Sequence, residues 1–492
     1  MLPNLLSINF LVPFVAHKFD ASKAIRGLRG MPRSVLLIGQ ANPPIGVDIK
    51  KRQRVTSEAE AIGLLGEGSM LLAMWRAAKD NADLGMPIDL VILADDETAL
   101  AATGKVTVQI DAQHAAGELP LYIGGKRIRV GIAVSDTAKL AATKLINAIN
   151  ATPSLPVVAA AGATDGEITL TCRWKGATGN SIDLRGTYYA DDRLPQGVTL
   201  TIAPMTGGAV NPDITPVITA IKGFRATEYA MPYTDSANMG VLEAELERRW
   251  NFDNMQDGQA VTVVRGTEGE VVGWLGPRNS PQVHTICVTR DLTNPWETAA
   301  MAAAAIESHA AIDPAVPFTG VKLTGYVAAS LEDDWEIEQR NNLLTAGGSV
   351  LETMEDGTAN ILRMVTNYTT HPTGAADASW RNLNWVKTNS YYRWFTVTEF
   401  QTKYRGYKLA EYVTEPIPGQ KIMTVPLGTD IMLNNYEQFM AAGLFQNMDH
   451  YKKTLQVEVD GPNGKLKVVD QPVLITQHYQ TEITSEFIAG HV

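Results

Sequence analysis

The sequence predicts a multidomain α/β protein. A core sheet is assembled from N- and C-terminal parts, interrupted by an inserted α+β domain and flanked by extended terminal arms. Three observations carry this. Continuous apolar runs such as SVLLIGQ (34–40) and IDLVILAD (88–95) have the composition of strands buried on both faces of a parallel sheet. From about Glu97 to Gly208 the pattern becomes short alternating strands, and after Gly208 the buried-strand pattern resumes. The closing stretch PVLITQHYQTEITSEFI is β-prone with no later element to cover it, an edge open to pairing with another chain.

The elements follow in order. GSMLLAMWRAAKDN reads as a helix, with Leu71, Met74, Trp75 and Ala78 at helical spacing, so strand, helix, strand implies a crossover and a parallel pair. In the inserted region, LPLYIGGKRIRV is a hairpin turning on Gly124-Gly125. SDTAKLAATKLINAIN is a helix expected to be capped by Ser135 or Asp136. GEITLTCRW alternates, with Ile168, Leu170, Cys172 and Trp174 on one face. Beyond Gly208, TEYAMPY, QAVTVVRG and QVHTICVTR are strands; ITPVITAIKGF, SANMGVLEAELERRW and the alanine-rich WETAAMAAAAIESHAA are helices. TLQVEVDGPNGKLKVVD is a hairpin around Gly461–Gly464. The expected division is an N-terminal arm 1–30, core 31–96, insertion 97–208, core 209–470 and a C-terminal arm 471–492.

The bulk properties bound the function. The chain has 492 residues, 45% hydrophobic and 19% charged, which is the composition of a folded protein with room for several domains. A net charge of −11 argues against general nucleic-acid binding. Two cysteines, Cys172 and Cys287, make no disulfide framework. The apolar opening lacks a basic leader and is broken by Pro3 and Pro13, and no run approaches the ~20 apolar residues that span a bilayer, so a soluble protein without membrane insertion is expected.

Signals for chemistry are weak. After the first strand comes GQANPPIG, whose prolines remove the backbone N–H groups a pyrophosphate needs, and no phosphate-binding lysine loop occurs. GEGSM (66–70) lacks the spacing of a nucleophile elbow and fits a helix start capped near Ser69 or Glu67. The eight histidines never pair at i, i+4 and neither cysteine lies in C-x-x-C, so no metal site is expected. The pairs Asp95-Asp96, Asp191-Asp192 and Asp333-Asp334 are expected in solvated turns and caps. In WKGATGN, Lys175 to Asn180 is expected to be a plain turn, with Gly176 and Gly179 free to take positive φ and Asn180 tolerant of it. No catalytic residue and no cofactor is assigned. The termini say more. Residues 17–33 hold Lys18, Lys23, Arg26, Arg29 and Arg33 against Asp20, and residues 471–492 hold only Glu482 and Glu486, a pairing of opposite signs that would steer arms to neighbours.

These residues resemble a known family. VPFVAHKFDASKAIRGLRGMPRSVLLIGQ, GSMLLAMWRA, WKGATGNSIDL, TGGAVNPDI, MPYTDSANM, NSPQ, NPWETAA and EQRNNLL are similar, in the same order, to segments of the contractile tail sheath proteins of Mu-like bacteriophages. Ser181 and EQRNN depart from the family pattern, and the last twenty residues resemble it only loosely. The resemblance implies a non-enzymatic structural subunit that stacks as hexameric rings around a tail tube. Contraction of that stack drives the tube through a host envelope. Its partners would be further copies of itself, the tail tube protein, and baseplate and tail terminator proteins, in a virion tail assembled in the bacterial cytoplasm. Phe14, Lys18, Arg26, Arg29, Ile475, Tyr479 and Ile483 are then expected in subunit-linking arms that add strands to neighbouring sheets. Lys452 and Lys453, in the segment 434–453, are expected to face the tube. The alternatives are a sheath-like subunit of a contractile secretion or bacteriocin machine, and an enzyme on a doubly wound fold.

Overall fold

A computed structural model describes residues 28–41, 43, 49–413 and 419–488. The chain forms two units, the larger from Pro32–Tyr391 with Gln477–Val492 and the smaller from Met1–Met31 with Tyr392–Thr476.

In the larger unit, nine strands form one sheet in the order Lys322–Leu323, Ala359–Arg363, Gly348–Thr353, Val283–Val288, Gln259–Arg265, Glu228–Met231, Val35–Gln40, Ile88–Leu93 and Arg52–Arg54. The six strands from Gly348–Thr353 to Ile88–Leu93 run parallel; the flanking ones are antiparallel. Val35–Gln40 and Ile88–Leu93 are buried at every position and pair in register from Val35↔Ile88 to Gln40↔Leu93. Helices cover both faces, which is why these strands carry apolar residues without alternation. The helix Met70–Asn81 starts at Ser69, whose hydroxyl accepts from the Leu72 amide, one of the two caps the sequence suggests. The helix Pro295–Ile312 is buried on nearly every side, and its run of alanines lets it lie close among its neighbours. Asp89, fully buried in its strand, is neutralised by Arg52 (2.5 Å) and Arg54 (2.8 Å) from the edge strand.

Residues 103–206 build two antiparallel sheets. One has the order Val198–Thr206, Thr103–Ile110, Glu167–Cys172, Val157–Ala161; the other is Lys126–Ile132, Gly117–Ile123, Leu184–Arg185. Gly124 (φ 54°) and Gly125 (φ 78°) make the hairpin turn that needs positive φ at both central residues. Ile168, Leu170, Cys172 and Trp174 are buried, as their alternation implies. The helix Ala138–Asn150 is capped by Thr137, not by Ser135 or Asp136, because the Asp136 carboxylate instead accepts from the Ala133 amide and from Lys144 (2.5 Å).

The segment 175–180 is tighter than a plain turn. Gly176 takes φ 126°, and a 3₁₀ helix, Ala177–Ser181, follows. Gly179 has no positive φ; what it supplies is space, since a Cβ there would lie 2.9 Å from Ala102 Cβ and 3.0 Å from Cys172 Sγ. Gly179→Val is therefore expected to destabilise the protein by about 1–3 kcal/mol through overpacking. Thermal unfolding should show a lower midpoint, while Gly131→Ala, where nothing lies within 4 Å, leaves it unchanged.

The smaller unit is built on aromatic packing. The helices Val425–Ala441 and Met448–Thr454 and the residues from Tyr392 onward in the helix Leu383–Lys403 bring together Tyr392, Phe395, Tyr436, Phe439, Phe445 and Tyr451. Tyr436 stacks on Tyr451 with centroids 3.7 Å apart, and Tyr392 meets Phe439 edge-on at 5.2 Å. Gln456–Asp460 and Lys465–Val469 form the expected hairpin, which lies against Gly428, where a Cβ would sit 3.1 Å from Leu466 and Val457. Beyond it only Val473–Leu474 is a strand, paired with Phe445–Gln446. The β-prone residues after Leu474 find no ladder among the described residues.

Candidate functional site

In a doubly wound sheet the first place to look is the crevice at the carboxyl ends of the strands where the order reverses, between Val35–Gln40 and Glu228–Met231. That crevice is filled by the chain itself. The Gln40 amide donates to Asp95 Oδ1 (2.6 Å) and to the Lys175 carbonyl (2.7 Å), and the Lys175 amide donates to Asp95 Oδ2 (3.2 Å). The Ala177 amide donates to Asn211 Oδ1 (2.9 Å), and Trp174 meets Trp296 edge-on at 5.2 Å. What remains is a cavity of about 120 Å³ beside Thr178, Ser181, Asn211 and Trp296, well under the ~300 Å³ at which small-molecule pockets begin. WKGATGN is thus a plug. Its sequence reads as a turn because the contacts that define it come from positions 40, 95, 211 and 296.

Of the acidic pairs, Asp95 and Asp191 are exposed as expected, while the other members are half-buried and hold partners. The side chain of Asp192 is buried and accepts from the Tyr122 hydroxyl (2.5 Å), the Tyr188 and Tyr189 amides (3.0 Å each) and Arg127. Burial opposes its ionisation, but these donors outweigh it and hold the carboxyl below the usual range. Asp95 organises the plug. Asp333 and Asp334 pair with Arg290 and Arg340. Burial pushes the thiols of Cys172 and Cys287 up to about 12, which leaves them inert. Among the described residues no cluster of His, Cys, Asp and Glu could hold a metal ion, and no helix is long and apolar enough to cross a membrane.

At the opposite, amino-terminal ends of these central strands lies a cluster that sequence reading missed. Lys387 reaches Glu228 (2.5 Å) and Glu307; Arg33 reaches Glu307 at 3.0 Å; Thr227 donates to the same carboxylate at 2.8 Å; His284 Nε2 meets Glu228 at 2.7 Å. None of these charged side chains is more than 6% exposed. Burial works against the Glu307 charge, but Lys387 and then Arg33 overcome it and keep the carboxyl well below the ordinary value. No spacing in the sequence announces it, because the partners are up to 274 residues apart.

The C-terminal chain is fastened by side chains. In the smaller unit, Asp470 accepts from Tyr392 (2.5 Å) and Tyr451 (3.0 Å), and the Val473 amide donates to the Tyr436 hydroxyl (3.1 Å). In the larger unit, the Asn382 amide donates to Gln477 Oε1 (2.5 Å) and Gln477 donates to the Ala315 carbonyl (3.0 Å). The Tyr479 hydroxyl donates to Asn382 Oδ1 (3.2 Å), and Arg363 lies 4.2 Å above its ring.

Of the residues expected at interfaces, Phe14, Lys18 and Arg26 lie outside the described residues. Arg29 is exposed. Ile475 is half-buried and its amide donates to the Leu444 carbonyl (3.1 Å); Tyr479 is docked on its own chain as above. Ile483 is 81% exposed, with Phe487 at 87% and Ile488 at 82%, so the apolar end of the tail has no cover among the described residues. Lys452 and Lys453 stand exposed on the last turn of the Met448–Thr454 helix, with no ion pair among the described residues, while Tyr451 beside them points into the aromatic core.

Comparison with known proteins gives a consistent result. Residues 207–367 match the family described as phage tail sheath protein central domain. The Mu-like prophage FluMu tail sheath protein of Haemophilus influenzae is 32% identical over 472 residues, covering 95% of each chain. Among solved structures, a chain from the anti-feeding prophage baseplate superposes with a TM-score of 0.50 at 12% identity, covering 98% of this chain and 100% of that one. The sheath tail protein of Desulfitobacterium hafniense gives a TM-score of 0.48 at 12% identity, covering 95% of this chain and 100% of that one.

Proposed function

The chain belongs to the tail sheath family of Mu-like phages, and from that premise we propose that it polymerises as stacked hexameric rings around a tail tube and contracts to drive the tube through a host envelope. It is a structural component of a phage-type tail. The alignment over 472 residues at 32% identity is the observation that carries this reading. On this reading residues 1–30 and 471–492 are arms, 97–208 is an insertion, and 31–96 and 209–470 form the body. No catalysis, cofactor or nucleic acid takes part. Baseplate and terminator proteins close the two ends of the polymer, and assembly takes place in the bacterial cytoplasm.

The smaller unit supports a route to polymerisation. Its hairpin is two strands wide, and neither outer edge is paired among the described residues. A two-stranded sheet is marginal alone, so added strands from neighbouring copies would stabilise it. The tail from Ile483 to Ile488 has the exposed apolar residues to supply one. Ile475 and Tyr479 then serve as the root of that arm. Phe14, Lys18, Arg26 and Arg29 belong to the N-terminal arm, and Lys452 and Lys453 face acidic groups of the tube.

The experiment is negative-stain microscopy of the purified full-length chain, alone and with its cognate tube protein. Long tubes of stacked sixfold rings are expected. A chain that stays monomeric at high concentration in both cases overturns the reading.

A further inference from the structure

The chain passes between its two units at three points: Met31–Pro32, Tyr391–Tyr392 and Thr476–Gln477. Within the larger unit each crossing is fastened within a few residues by polar side chains. At the first, Arg33 holds Glu307 and the Ser34 amide holds Thr227, whose hydroxyl donates to Glu307. At the second, Lys387 holds Glu307 and Glu228. At the third, Gln477 holds Asn382 and the Ala315 carbonyl. Asn384 donates to the Pro314 and Val316 carbonyls, both 2.8 Å, and accepts from Tyr479. All three fastenings converge on one place, the C-terminal half of the Pro295–Ile312 helix and the turn that follows it.

Buried ion pairs add little net stability over apolar residues of the same volume. They differ in how they resist displacement. Apolar contacts slide, whereas charge-assisted hydrogen bonds have fixed geometry and in a dry site nothing replaces them as they part. We propose that the Arg33–Glu307–Lys387–Glu228 cluster and the Gln477–Asn382 clamp together form a load anchor. It ties the three roots to one core helix, so that tension on the arms is delivered to the middle of the sheet and does not peel its edge. This rests on the sheath reading for the source of the tension, but the anchor itself is a property of the single chain.

Two variants test it, Glu307→Gln/Lys387→Met and Gln477→Ala/Tyr479→Ala, beside a control of matched thermal stability, Leu145→Ala, whose side chain is buried on the Ala138–Asn150 helix against the strands of the 103–206 region. Monomers are tethered at residues 29 and 480 and pulled in an optical trap; assembled sheaths are induced to contract and measured by microscopy. The anchor variants should yield at clearly lower force than the control, and their contracted tubes should be several-fold shorter through breakage. Equal rupture forces for anchor variants and control overturn the proposal. Failure of the wild type to form tubes, with the force difference present, overturns the sheath reading and leaves the anchor supported.

Discussion

Truncation after Tyr479 is expected to leave both units folded and to abolish polymer formation. The last fastenings of the C-terminal chain, Gln477 and Tyr479, remain in this variant, so the native contacts of the larger unit are kept. What is removed is the uncovered part, with Ile483, Phe487 and Ile488 each more than four-fifths exposed. Three such side chains, buried against a neighbour at about 1.5–3 kcal/mol each, contribute roughly 4–9 kcal/mol per contact before ordering costs. Loss of even half of that, roughly 2–4.5 kcal/mol, raises the critical concentration by about thirtyfold to a thousandfold or more. Circular dichroism should be unchanged, and sedimentation should show monomer at concentrations where the full chain pellets. Tubes of normal length from the truncated chain would remove the tail from the account of assembly.

Lys387→Met is expected to be the most damaging single substitution in the body of the protein. It strands two buried carboxylates, Glu228 and Glu307, with Arg33 and His284 as their remaining partners. Breaking a buried pair costs about 3–5 kcal/mol, here roughly 5–10 °C in thermal midpoint. Lys387→Met/Glu307→Gln should recover much of that, because the uncompensated charge is gone. The pH dependence has a definite sign. The Glu307 carboxyl titrates below its ordinary value of 4.5 in the folded chain, so its contribution is present above that value and is lost as the pH falls through the lower folded one. Without Lys387 the carboxyl protonates more readily. The gap in midpoint between wild type and Lys387→Met should therefore narrow on acidification from pH 7 to 4. A constant gap would mean that Glu307 is not the group Lys387 supports.

Local patterns were legible where the cause is local. The buried strands at 35–40 and 88–93, the Gly124-Gly125 turn and the Ser69 cap each depend on residues within a few positions. The cap of the Ala138–Asn150 helix was misassigned by one or two residues because Asp136 is drawn away by Lys144, eight residues on. The Asp191-Asp192 pair reads as a solvated turn, yet Asp192 gathers Tyr122 and Arg127 from 70 and 65 residues away. Gly179 reads as a conformational glycine and is a packing one, since the Cβ clash comes from Ala102 and Cys172.

By itself the sequence determined the alternation of strands and helices and, through ordered resemblance, the sheath family. These rest on hydrophobic period and on motif order, which are properties of the chain written out in line. The tertiary structure alone decided that WKGATGN stops the crevice of the sheet, and that two roots of the chain meet on one buried cluster of charges while the third is clamped by neutral amides at the turn after the same helix. Both depend on groups brought together by the strand order across separations from 34 to 274 residues, and buried charge is tolerated only where such partners converge.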